Sequence, residues 1–325
     1  RGAYNGDEVM KMSIVNPAVS YESCRDTLKS LAADCPQARL RSLGCTPFRR
    51  QVLALSMGFG ERSVLFSAAH HANEWITALV LLEFARDCAR ALKENDTLLG
   101  VSARALAEVC TIHLVPLVNP DGVDLVTGAV APDSPQYALG EKIAAHYPEI
   151  PFPGGWKANL LGTDLNLNYP AGWRQARKNK ALLGVTAPAP RDYVGSSPLN
   201  QPETRALADF TREVQPEVVV ALHSQGQEIY WQYGGLEIPG ARELGEALAQ
   251  VSGYALADTP YLSAFAGYKD WFIKTFRRPG YTVEVGLGEN PLPLAQFPEI
   301  YRSCLPLLLT AALGKIPVDK WGEGV

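Results

Sequence analysis

Several kinds of site are missing from this sequence. Its six cysteines (Cys24, Cys35, Cys45, Cys88, Cys110 and Cys304) include no CxxC pair and fit no zinc-ribbon spacing. A chain of 325 residues can build a large core and does not need disulfide staples, so the cysteines read as buried or incidental thiols, which favours a reducing compartment. There is no basic block. The 30 Lys and Arg against 34 Asp and Glu give a formal charge of −4, without the positive patch that phosphate binding needs. Nucleic acid is therefore not an expected partner. No apolar run approaches the ~18 residues of a membrane span; the longest, Ala78–Leu82 and Leu305–Leu309, are of core length. Internal repeats, low-complexity tracts and linker-like stretches are absent as well. No signal peptide opens the chain, although a start at Arg1 rather than Met leaves a trimmed leader open. The expectation is a cytoplasmic rather than a secreted protein.

What remains is an alternation of apolar runs and helical periodicities. Val64–Ala69, Ile112–Val118, Val218–His223 and Tyr281–Gly286 are near-continuously apolar and rich in β-branched residues, the pattern of buried strands. After Trp75, the polar residues Glu83, Arg86, Asp87, Arg90 and Lys93 share one helical face. Residues 21–34 put Tyr21, Cys24, Leu28 and Leu31 on one face behind a Ser20 cap. Further helices are predicted near 202–214, 239–251, 268–277 and 299–313. The stretches 129–135 and 184–198, rich in Gly, Pro and Ser, read as long loops. Length alone would allow about two domains of ~150 residues. The alternation instead argues one α/β domain, a mixed sheet with helices on both faces. Ligands of such sheets bind at the carboxyl ends of strands.

Chemistry-bearing residues stand at those ends. His71-Ala72-Asn73-Glu74 follows the run Val64–Ala69 and precedes a helix, so an imidazole and a carboxylate can turn toward one point. Both ligand types suit zinc. An HxxE alone is weak evidence, and His70, four residues before Glu74, competes for the ligand role, although strand alternation points it away from His71. His223 closes the run Val218–Leu222. A histidine in such a place is more often a satisfied core histidine, but the chain has only five. A catalytic zinc takes three protein ligands and keeps one position open. His71, Glu74 and His223 supply that set, while His113 and His146 have no evident role. Glu284, flanked by Val283 and Val285, must be paired, metal-linked or catalytic, because burying a bare carboxylate costs several kcal/mol. An ion pair with Arg277 or Arg278 competes with the role of general base.

These pieces occur in an order that resembles the zinc metallocarboxypeptidase family over roughly residues 18–315. The matching segments are Leu43–Gly58, His71-x-x-Glu74-Trp75, Asn119-Pro120-Asp121-Gly122, Lys157-x-Asn159 and Asp164-Leu165-Asn166-x-Asn168. Pro202-Glu203-Thr204, His223-Ser224, Gly267–Trp271 and Glu284 complete them. The resemblance implies an α/β fold around an eight-stranded mixed sheet over 18–315, with terminal extensions at 1–17 and 316–325. It implies one Zn²⁺ on His71, Glu74 and His223, with Glu284 as general base. Asp164 would orient the His71 ring from the second shell of the metal. Asn166 would contact the substrate carboxylate, Lys157 would take the place of the family's oxyanion-stabilising arginine, and Tyr261 would be the mobile tyrosine that covers the site.

Two departures bear on the substrate. Leu167 stands where ordinary members carry an arginine that clamps the C-terminal carboxylate, a charge-assisted contact worth about 2 kcal/mol. Lys269 falls at the base of the specificity pocket, where it would favour a leaving residue with a side-chain carboxylate; a solvated helix lysine is the plainer alternative. Together with Asp164–Trp173 and Glu284–Pro293, these features resemble the branch of γ-D-glutamyl-meso-diaminopimelate peptidases. The expected partner is then a diaminopimelate-containing cell-wall peptide, soluble because no wall-binding repeat accompanies the domain. The rivals are a conventional carboxypeptidase acting on α-peptides, an aspartoacylase-like deacylase and an inactive binding protein.

Overall fold

A computed structural model describes residues 19–315. The extensions expected at 1–17 and 316–325 lie outside the described residues. Ten strands follow in chain order: β1 (Ala38–Cys45), β2 (Gln51–Met57), β3 (Arg62–Ala68), β4 (Thr97–Leu98), β5 (Val101–Ser102), β6 (Cys110–Val115), β7 (Val218–His223), β8 (Glu228–Tyr230), β9 (Ala255–Ala257) and β10 (Gly280–Glu284). The pair β4–β5 stands apart as a small ribbon, and the other eight make one mixed sheet in the order β1-β2-β6-β3-β7-β10-β8-β9. Its four central strands, β6, β3, β7 and β10, are parallel. The helices are α1 (Tyr21–Asp34), α2 (Ile76–Glu94), α3 (Ala103–Val109), α4 (Pro120–Val126), α5 (Pro135–Ala144), α6 (Trp173–Leu182), α7 (Pro202–Val214), α8 (Ala241–Ser252), α9 (Tyr268–Phe276) and α10 (Phe297–Leu313).

Parallel strands covered on both faces are near-continuously apolar, as β7 is up to His223, with Ser67 on β3, Thr111 and His113 on β6 and Thr282 on β10 among the polar exceptions. Val64, Phe66, Val220 and Leu222 join Leu81 and Phe84 of α2 and Leu308 of α10 in one core. Their neighbours Leu65, Val219 and Ala221 join Leu207 and Phe210 of α7 and Trp271 and Phe272 of α9 in another. Each fully buried Leu or Phe contributes about 1.5–3 kcal/mol. The two-faced burial holds the central strand ends rigid, which is where the chemistry sits.

Boundaries shifted for local reasons. The strand expected to reach Ala69 ends at Ala68, since Ala69 takes φ 49° and turns the chain. The strand expected over Ile112–Val118 runs from Cys110 to Val115, and Pro116 beyond it has no N–H for a ladder. The strand expected to reach Gly286 ends at Glu284, and Gly286 turns out at φ 67°. Ser20 caps α1, accepting from Ser23 N at 3.1 Å. All six cysteines are free, and only Cys45 is exposed.

Candidate metal centre and active-site cleft

At the end of β3 the chain leaves the sheet through His70 and His71 into a single 3-10 turn, Ala72–Glu74. Asn119, at the cap of α4, holds this corner: its Nδ2 donates to His70 O at 3.1 Å and to Ala158 O at 3.0 Å, while its Oδ1 caps Gly122 N. A Cβ on Gly122 would lie 2.6 Å from Asn119 Oδ1 and 2.7 Å from Ala158 O, so glycine is required by the close approach. His223 ends β7, the neighbour of β3, and Glu284 ends β10 directly beside His223 in the parallel register.

This topology brings three buried donors together. His71 Nδ1 lies 2.9 Å from Glu74 Oε1, His223 Nδ1 lies 2.9 Å from Glu74 Oε2, and the two imidazole Nδ1 atoms are 3.2 Å apart. Among the described residues these three form a group able to hold a metal ion. Four-coordinate zinc with 2.0–2.1 Å bonds separates its ligands by about 3.3 Å, so the spacing fits. The donor chemistry fits too. His71 Nε2 donates to Asp164 Oδ1 at 3.0 Å, which leaves its Nδ1 lone pair facing the centre.

The electrostatics are coherent with a cation centre. Burial resists charging His71, yet Glu74 and then Asp164 outweigh it and lift its pKa to about 9. Burial raises the Glu74 carboxyl, but His71 and Lys157 hold it well below the usual range. Glu284 goes the other way: burial first, then the Glu74 charge, push it up to about 8 against Lys157 and His71. Neither Arg277 nor Arg278 pairs with it; Arg278 Nη1 donates to Gln215 O and Pro216 O instead. Lys157 Nζ lies 2.9 Å from Glu74 Oε1.

The chain of residues 24–304 matches the zinc carboxypeptidase family, peptidase M14. The chain belongs to that family. It is 38% identical over 289 residues to γ-D-glutamyl-L-diamino acid endopeptidase 1 of Lysinibacillus sphaericus, covering 89% of this chain and 71% of that one. It is 31% identical over 142 residues to murein peptide amidase A of Escherichia coli, covering 42% and 43% of the two chains. Bovine thrombin-activatable fibrinolysis inhibitor has the same fold, with a TM-score of 0.68, 18% identity and coverage of 91% of this chain and 97% of that chain. The protein is thus a zinc metallopeptidase with one Zn²⁺ as its cofactor, and the fold is the metallocarboxypeptidase α/β sandwich.

Around the metal centre opens a cleft of about 190 Å³. Of the expected site residues, His71, Lys157, Asp164, Asn166, Lys269 and Glu284 all line it. Asn166 Oδ1 accepts from Tyr268 N at 3.0 Å. Lys269 lies in the cleft as expected but departs in its pairing. It is not a solvated helix lysine, being only 3% exposed, but its ammonium is already engaged: Nζ donates to Gln232 O and Thr259 Oγ1 and lies 2.8 Å from Asp270 Oδ1. Tyr261 also departs. It is 65% exposed and packs edge-on against Phe265, outside the cleft lining. Phe265 lies close to Gly172 at the start of α6.

The other histidines resolve simply. His70 Nε2 lies 3.2 Å from Tyr169 Oη and its ring stacks on His223. His113 pairs with Ser56 Oγ at 2.7 Å, and His146 lies in the turn after α5. Sequence reasoning missed Tyr230, Thr259, Lys180, Arg191 and Asp192 in the cleft wall. One signal was available: Arg191 and Asp192 are the only charged residues in the long loop 184–198, and long loops of this kind are often functional.

Proposed function

We propose that this protein hydrolyses the amide between γ-D-glutamate and the diamino acid of bacterial cell-wall peptides, with meso-diaminopimelate as the leaving residue. The observation that carries the reading is the 38% identity across 89% of the chain to an endopeptidase named for that linkage. The apolar Leu167 in the cleft is in keeping with a substrate unlike an ordinary α-peptide.

His71, Glu74 and His223 would hold the zinc, which supplies Lewis acidity to the attacking water and the scissile carbonyl. Asp164 keeps the His71 ring in the tautomer that points Nδ1 inward. Glu284, one strand over from His223, takes the proton of the attacking water and returns it to the departing nitrogen. Lys157 stays an ammonium, because Glu74 and Asp164 outweigh the opposing effect of burial, and it meets negative charge developing on the carbonyl oxygen. As a lysine it does so from one point and lacks the bidentate fork of an arginine. Asn166 offers its amide to a substrate carboxylate. Lys269 contributes to selecting an acidic leaving side chain only if that group replaces one of its present partners.

Mass spectrometry of the zinc-loaded protein with L-Ala-γ-D-Glu-meso-diaminopimelate, beside an all-α peptide, tests this. Release of diaminopimelate from the first peptide alone is expected. Cleavage of the α-peptide alone would make the protein a conventional carboxypeptidase and overturn the proposal.

A further inference from the structure

Four cations line the cleft: Lys157, Lys180, Arg191 and Lys269. Three are answered. Lys157 has Glu74 and Lys269 has Asp270, while Lys180 Nζ lies 2.6 Å from Asp192 Oδ1. Arg191 must share Asp192, reaching Oδ2 through Nε at 3.0 Å. The terminal Nη1 and Nη2 of Arg191 make no hydrogen bond to any other described residue.

The backbone on either side of Arg191 is anchored. Pro190 O accepts from Lys157 N and from Ala158 N, both at 2.8 Å. Asp192 N donates to Asp164 Oδ2 at 3.2 Å, the carboxylate whose other oxygen holds His71. A guanidinium pinned by Nε and open at its two terminal nitrogens presents a planar fork, the geometry that matches a carboxylate. Its side chain is 49% exposed and so is reachable. Leu167 in the same cleft offers no donor. We propose that Arg191 is a specificity-determining residue that binds a carboxylate of the substrate.

The reading rests on the γ-glutamyl substrate proposed above, and that substrate has carboxylates on both sides of the scissile bond. One is the α-carboxylate of the D-glutamyl residue, which an α-linked peptide lacks at that place. The others belong to the leaving diamino acid. Arg191 binds one of them.

The test measures kcat and KM of the zinc-loaded wild type, Arg191→Ala and Arg191→Lys on three peptides. They are L-Ala-γ-D-Glu-meso-diaminopimelate, its analogue with the D-glutamyl carboxylate as carboxamide, and its analogue with the leaving residue's carboxylates as carboxamides. Arg191→Ala should lower kcat/KM on the free acid about tenfold or more, through KM, and Arg191→Lys should recover part of it. On the analogue that lacks the bound carboxylate, the substitution should add little to the loss the wild type already shows. That analogue identifies the source. An equal loss on all three peptides, or none on any, overturns the assignment. If Arg191→Ala does not fold, as judged by its melting and zinc content, the wild type decides alone: no preference for the free acid over either amide overturns it. If the wild type leaves all three peptides uncut, the γ-glutamyl reading fails. Arg191 is then tested on the free acid and amide of an α-linked peptide, where equal losses overturn it.

Discussion

The two halves of the cleft are built by different physics. The metal side hangs on strand ends: His71 and Glu74 follow β3, His223 ends β7, and Glu284 ends β10, three adjacent parallel strands covered on both faces. Their mutual placement is a matter of ladder register. The opposite wall is made of loops, and its order comes from side chains that bond backbone. Asn159 Oδ1 accepts from Leu161 N and Thr163 N, and its Nδ2 reaches Gln201 and Glu203. Asn168 ties Val194 O and Ser197 O to the start of α7. The difference separates tasks: the sheet places the metal ligands and the general base, and the loops place Lys157, Asp164 and the recognition groups. Damage to the first half should abolish turnover, and damage to the second should change stability or selectivity.

The sharpest break falls on the strand ends. His223→Ala should lose zinc and with it all activity above background, because two ligands cannot hold the ion against water. Metal content by elemental analysis checks it, and full zinc occupancy would remove His223 from the centre. Glu284→Gln should keep zinc stoichiometry while lowering kcat about 10²–10⁴-fold, the usual range for losing a general base. A near-normal kcat would take Glu284 out of the chemistry.

The same division explains what could be read in advance. Val218–His223 was legible to the residue because a central parallel strand is apolar throughout, and a histidine at its end breaks that pattern. Glu284 was legible for the same reason. The outer strands β8 and β9, three residues each, are too short to show a period, and Tyr230 on β8 went unseen with them. The matching segments at Asn119–Gly122, Asn159 and Pro202–Thr204 pointed to the family without disclosing their work. In the structure they are scaffold: Asn119 bridges two carbonyls, and Glu203 braces Asn159. Side-chain-to-backbone bonds of this kind leave no periodicity, so a pattern search cannot find them. Lys269 was placed correctly in the cleft, but its pairing with Asp270 next door on α9 depends on rotamers that sequence does not disclose.

Breaks in the scaffold should be milder. Gly122→Ala forces a methyl against Asn119 Oδ1 and Ala158 O and should destabilise by about 1–3 kcal/mol, read by denaturant unfolding. It should also weaken zinc retention, since Asn119 holds the carbonyl of His70 next to a ligand. Unchanged stability would mean that the corner relaxes freely. Glu203 tests the loop wall through pH. Burial pushes its carboxyl up to about 7 from an ordinary 4.5. The folded state therefore keeps a proton between those values that the unfolded chain has released, so the contribution is full below about pH 4.5 and is lost as pH rises through 7. That difference corresponds to about 3 kcal/mol. Unfolding of wild type and Glu203→Gln at pH 4.5 and pH 7.5 should show the wild type losing that much more. His113, buried and pushed down to about 4, has the opposite slope but is common to both proteins. Parallel pH profiles would show that Glu203 is ionised in the fold.

The smallest expected effect concerns the residue on which family resemblance and geometry part. Tyr261 should cover the site by resemblance, yet its ring stands against Phe265 with most of its surface in solvent, and among the described residues its hydroxyl has no hydrogen-bond partner. Tyr261→Phe keeps the ring and its contact with Phe265 and removes only that hydroxyl, so kcat/KM should change by less than about twofold, within the ±0.5 kcal/mol usual for surface substitutions. Phe265→Ala sharpens the point, because it removes the ring against which Tyr261 packs and which lies close to Gly172. If Tyr261→Phe is silent in the wild type but costs activity in the Phe265→Ala background, the turn can carry Tyr261 into the cleft and Phe265 is what keeps it out. A tenfold loss from Tyr261→Phe alone would mean that the turn already swings inward during turnover, and Tyr261 would then join Lys157 as a loop residue that shares in the chemistry.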